Sequence, residues 1–115
     1  MKILISTAIL GFALLQTSDS TLSPADAAKH AGEQATVCGQ ITGQHTASSA
    51  KGRPTFYDMG GRFPNSTFTV LVWGDNQAAV GDLPSDVPVC VSGKVELFKG
   101  KAEIVLRDAA SWKKQ

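Results

Sequence analysis

From Gln34 the chain alternates with a period of two. Ala35, Val37, Gly39 and Ile41 fall on one face and Thr36, Cys38, Gln40 and Thr42 on the other, which predicts a half-buried strand over 34–42. Residues 55–59 form a second short run behind Pro54, and its phase is read with Phe56 toward the core and Tyr57 opposite to it. Residues 68–73 are rich in β-branched and aromatic side chains and predict a third strand. A longer run over 87–98 sets Val87, Val89, Val91, Gly93, Val95 and Leu97 in one phase, with Gly93 as its bend. Lys99-Gly100 then turns the chain into a fifth strand over 102–107.

Other segments break the alternation. Ser23-Pro24-Ala25-Asp26 supplies an N-cap, a proline at the first helical position and an acid near the positive helix end, so a short helix is expected over 24–31, stopped at Gly32. Residues 75–80 carry a cap residue and helix formers before Gly81 and predict a helical turn. Residues 43–53 are small, polar and basic without periodicity, which predicts a long loop bearing His45, Lys51 and Arg53. Residues 108–115 read as a tail whose Trp112 folds back onto the body.

Five short strands, bend glycines in the first and fourth, and a helical connection between the third and fourth make the pattern of a Greek-key barrel, the OB-fold. An SH3-like barrel or a small sandwich needs no helical turn at Asp75 and fits less well. The segments Thr36-Val37-Cys38-Gly39-Gln40-Ile41, Gly52-Arg53-Pro54-Thr55-Phe56, Phe68-Thr69-Val70-Leu71-Val72-Trp73 and Val89-Cys90-Val91-Ser92-Gly93-Lys94-Val95-Glu96 resemble the small exported bacterial OB-fold proteins. Those proteins are similar to anticodon-type nucleic-acid-binding OB domains. The resemblance spans nearly the whole chain after residue 20, and its motifs specify architecture better than ligand.

The N-terminus changes the compartment. Lys2, an apolar run over 3–15 and a small polar stretch ending at Ser20 have the order of a secretory signal peptide, so 1–20 is read as the signal and 21–115 as the domain. The apolar run is too short to span a bilayer comfortably, so no stable membrane insertion is expected after cleavage. The folded part is then periplasmic or secreted, where disulfides persist.

In an OB barrel the first strand lies beside the fourth, which brings Cys38 and Cys90 onto neighbouring strands. Both are out of phase with the core positions beside them and leave on one outer surface, so a cross-strand disulfide is expected. A redox-active pair is disfavoured because no CxxC spacing is present, and two unbonded thiols are the bland alternative.

With 115 residues and 43% hydrophobic content the chain fits one domain, and a formal charge of +1 draws it to no polyanion as a whole. Any such partner must meet a local patch. OB domains hold ligands across the second and third strands, between the first loop and the last hairpin. Lys51, Arg53, Tyr57, Arg62, Lys99 and Lys101 are the candidate contacts there, since cations follow phosphates and rings stack on bases. No nucleophile with its base, phosphate-cradling loop, metal-ligand spacing or cofactor motif is present, so no catalysis and no cofactor are expected. The expected function is a monomeric, exported binding module for single-stranded nucleic acid or another anionic polymer. The alternative is a domain that docks another exported protein or a glycan.

Overall fold

β-branched and aromatic runs supply most of the strands, and the computed structural model describes residues 21–115. The expected signal, 1–20, lies outside the described residues. The elements are β1 Thr21–Leu22, a 3-10 helix Pro24–His30, β2 Gln34–Gly39, β3 Ile41–Thr46, β4 Thr55–Met59 and β5 Phe68–Val72. A 3-10 turn Gly74–Asn76 leads into α1 Gln77–Val80, followed by β6 Val89–Lys94, β7 Glu96–Phe98, β8 Lys101–Val105, a 3-10 turn Ala109–Ser111 and β9 Trp112–Lys114. The protein is mainly β, with short helical segments between strands.

The strands form a four-stranded sheet in the order β1-β2-β6-β9 and a five-stranded sheet in the order β3-β4-β5-β8-β7. The first and fourth runs of the sequence each serve both sheets. The strand expected over 34–42 breaks at Gln40 and continues to Thr46, so His45 lies on β3 and not in a loop. The strand expected over 87–98 breaks at Val95. That break explains why Val89 and Val91 are buried while Leu97, in the same phase, is 51% exposed on an edge strand. Instead of a fully closed ladder, the described residues show two sheets joined through these corners. β6 approaches β8 without pairing to it, and a Cβ at Gly93 would stand 2.8 Å from Cγ2 of Ile104, so glycine permits the approach.

β2 and β6 pair antiparallel with Cys38 directly opposite Cys90. The two are joined by a disulfide with a Cα–Cα separation of 4.0 Å. In the chain-entropy model, closing a loop across that separation of 52 positions stabilises the fold by about 4 kcal/mol. Strand parity sets the face: the bond lies on the outer side of the four-stranded sheet beside Thr36, Ser92 and Lys113, while Val37, Val89 and Val91 face the core.

The helical pieces pack against the strands. Oγ of Ser23 accepts from the Asp26 N–H at 3.2 Å and caps the first, which is 3-10 and not α-helical, and its Ala27 enters the core. The C-terminal residues form an antiparallel strand against β6, not a loose tail. Trp112 does fold back, and its indole N–H donates to the carbonyl of Val80 at 2.9 Å.

Candidate functional site

Register fixes what the outer face of the five-stranded sheet displays. Gly43, Asp58, Thr69, Glu103 and Glu96 are paired in one row across all five strands. His45, Phe56, Leu71 and Val105 make the neighbouring row. The intervening row, Gln44, Tyr57, Val70 and Ile104, points the other way, and Tyr57, Val70 and Ile104 are wholly buried.

This reverses the sequence reading of β4. Tyr57 was expected at the ligand surface, yet it is a core residue whose hydroxyl meets Nε2 of Gln77 at 3.4 Å, while Phe56 is outside. The cause is the alternation of the strand itself, since Met59 is a large apolar residue that belongs inside and carries Tyr57 with it.

On the outer face the imidazole of His45 stacks on Phe56 with ring centroids 5.0 Å apart and an interplanar angle of 26°. Phe63 tilts against the same imidazole at 5.5 Å. Phe98 completes a groove of about 410 Å³ lined also by Asp58, Thr69, Lys99, Lys101 and Glu103. A smaller hollow beside it is lined by Gly43, Gln44, His45, Asp58, Arg62 and Phe63. Phe63 and Phe98 are 65% and 59% exposed, an unusual amount of aromatic surface for water to cover.

The loop between β4 and β5 is held over this groove by Asp58. Its carboxylate is buried and accepts from the Phe63 N–H at 3.2 Å and from the Ser66 hydroxyl at 3.3 Å. Lys101 secures the loop from the other side, its ammonium donating to the Pro64 carbonyl at 3.2 Å and to Oγ of Ser66 at 3.1 Å while lying 5.6 Å from the Phe63 ring centroid. Lys99 sits 5.4 Å from the ring centroid of Phe98. The hairpin beneath it is a two-residue turn with Lys99 at φ 55° and Gly100 at φ 82°, the left-handed pair such turns require.

The six expected contact residues therefore divide. Lys99 and Lys101 line the groove, and Arg62 lines the smaller hollow beside it. Lys51 and Arg53 lie in the loop between β3 and β4, which leaves the sheet at the Thr46–Thr55 end, whereas the hairpin and the loop bearing Arg62 are at the Met59–Phe68 end. Arg53 lines a separate hollow with Gln77 and Asp82. The sequence pattern puts His45 in a loop and does not bring Phe98, Asp58 or Glu103 among the expected contacts. The acid at 58 was the available signal: it shares a phase with Phe56, and a carboxylate seldom points into an apolar core.

Charge is layered at the groove. The cations Lys99 and Lys101 line it, Arg62 lines the hollow beside it, and the carboxylates of Asp58 and Glu103 lie in the sheet rows of its floor. Burial, and secondarily the Glu96 carboxylate opposite, push the pKa of Glu103 up. Among the described residues no three His, Cys, Asp or Glu side chains gather into a metal site, and no helix is long and apolar enough to cross a membrane.

The fold is similar to those of solved OB-fold proteins. A candidate nucleic acid-binding lipoprotein from Klebsiella pneumoniae subsp. pneumoniae superposes with a TM-score of 0.52 at 15% identity, over 84% of this chain and 92% of its own. An OBody bound to hen egg-white lysozyme superposes with a TM-score of 0.50 at 18% identity, over 80% of this chain and 91% of its own. At these identities the likeness defines the fold, and the chain has an OB-like architecture. No protein-family model and no curated protein matches the sequence.

Proposed function

We propose that this protein is an exported, non-catalytic OB-fold module that holds single-stranded nucleic acid along the outer face of its five-stranded sheet. The observation that carries the reading is the His45–Phe56–Phe63 aromatic cluster, extended by Phe98 and flanked by Lys99 and Lys101 in one groove. Unstacked bases need flat apolar partners and their phosphates need nearby cations, and the groove offers both without a built reaction centre. Arg62, Lys99 and Lys101 are the phosphate contacts; Lys51 and Arg53, at the far end of the sheet, extend the path only for a longer strand. The similar fold of the Klebsiella lipoprotein named for nucleic-acid binding is in keeping with this. Export is supported by the Cys38–Cys90 bond, which an oxidising compartment maintains, and by the signal-like order of residues 1–20.

A labelled single-stranded oligonucleotide, titrated by fluorescence polarisation from low to physiological salt, tests the reading. Saturable binding at micromolar protein that weakens as salt rises is expected. Its absence would overturn the proposal and favour the second reading, a surface that docks another exported protein or a glycan. That second reading draws on one observation, the exposed apolar patch of Leu97 and Phe98 on edge strand β7.

A further inference from the structure

Glu103 stands in the groove, half-buried, with Thr69 on one side of its row and Glu96 on the other. The other groove carboxylate, Asp58, is already engaged by the Phe63 N–H and the Ser66 hydroxyl. Among the described residues no donor hydrogen-bonds to Glu103 and no cation lies within ion-pair distance of it. Lys101, two positions away, directs its ammonium to the loop. The protein thus keeps an acceptor-only group, partly stripped of water and facing a second carboxylate, in the floor of an aromatic groove.

Such a group repels phosphate. A strand lying here is therefore turned with its backbone toward Lys99, and toward Arg62 in the adjoining hollow, and its base edges toward the floor, where Glu103 has no partner among the described residues. We infer that Glu103 reads the base edge by accepting a hydrogen bond from a nucleobase amino group, so that the groove prefers amino-bearing bases to thymine or uracil. Cytosine is the sharpest case, since its N4 amine donates where thymine presents the O4 carbonyl, and a glutamate is the acceptor that suits this amine. The ring N–H of thymine sits between two carbonyl oxygens that the carboxylate also repels. The inference rests on the reading of the groove as a single-strand interface and adds the class of base it selects.

The test compares labelled oligo-dC and oligo-dT of equal length near neutral pH, on the full protein and on Glu103→Gln. The two pyrimidines stack alike, so the contrast isolates the edge at position 4. The intact protein should bind oligo-dC roughly 5-fold tighter or more, the factor that one good edge contact supplies. In Glu103→Gln, whose carboxamide both donates and accepts, the preference should fall below about 2-fold without loss of melting temperature. Equal binding of both oligonucleotides by the intact protein would overturn the inference while leaving the interface standing. An oligo-dC preference unchanged in Glu103→Gln would overturn the assignment to this residue. No saturable binding of either oligonucleotide would overturn the interface and the inference together.

Discussion

The backbone N–H of Phe63 donates to Oδ2 of Asp58 at 3.2 Å, so a buried carboxylate holds a 65% exposed aromatic ring over the groove. Without Asp58 the loop loses both this bond and the one from the Ser66 hydroxyl. Asp58→Ala is expected to lower stability by about 1–3 kcal/mol in urea unfolding, because both donors are left without their acceptor. Oligonucleotide affinity should fall with it as Phe63 leaves the imidazole of His45. Asp58→Asn, which keeps one acceptor oxygen, should sit between the two.

The reversed faces of β4 give a paired test. Tyr57 is wholly buried and Phe56 only partly, on opposite sides of the sheet. Tyr57→Ala should cost about 3–5 kcal/mol of stability, in the range for removing a large core ring. Phe56→Ala should cost far less and instead weaken oligonucleotide binding by about 1–3 kcal/mol, the worth of a base-stacking ring. A stability loss larger for Phe56 than for Tyr57 would mean that the faces are the other way round.

Lys99 and Lys101 flank Gly100 at the hairpin but do different work. Lys101 braces the loop through Pro64 and Ser66, whereas Lys99 lies over the ring of Phe98 and, among the described residues, makes no side-chain hydrogen bond. Lys99→Ala should reduce the slope of log K against log salt by about 0.7, one single-strand phosphate contact, with no change in melting temperature. Lys101→Ala should reduce the slope and also lower stability by about 1 kcal/mol. Titrations at several salt concentrations, alongside thermal melts, separate the two.

Glu103 holds its proton more tightly in the folded chain than in the unfolded one, first because burial disfavours its charge and then because Glu96 faces it. Its contribution to stability is therefore complete below the ordinary glutamate value and is lost as pH rises through the raised folded value. Glu103→Gln removes that loss. Urea midpoints should match the parent near about pH 4 and exceed it near about pH 7. A variant less stable than the parent at neutral pH would contradict the assignment of an unpaired, partly buried carboxylate.

Much of the fold was legible because alternation and glycines act locally. Val37 and Val91 announced their faces, and the phases of Cys38 and Cys90 their shared outer surface, whereas the bend expected at Gly93 falls at Val95 and the glycine serves the approach to Ile104. The extension of β3 to Thr46 was not legible: Gly43, Gln44 and His45 have weak strand propensity, and pairing with β4 holds them extended. The site was legible as a cluster of cations and hidden as a surface. Which aromatic faces out depends on the parity of β4, and which cations meet depends on which end of the sheet each loop leaves from. Neither is a property of the loop sequences themselves.

The central claim, that single-stranded nucleic acid lies on the outer face of the five-stranded sheet, is tested most directly by amide chemical-shift mapping during an oligonucleotide titration. Saturable shifts centred on His45, Phe56, Phe63, Lys99, Lys101 and Glu103, with the amides around Cys38 and Lys113 on the opposite sheet undisturbed, are the predicted result. Shifts centred on the disulfide sheet, or no shifts at saturating oligonucleotide, would contradict it.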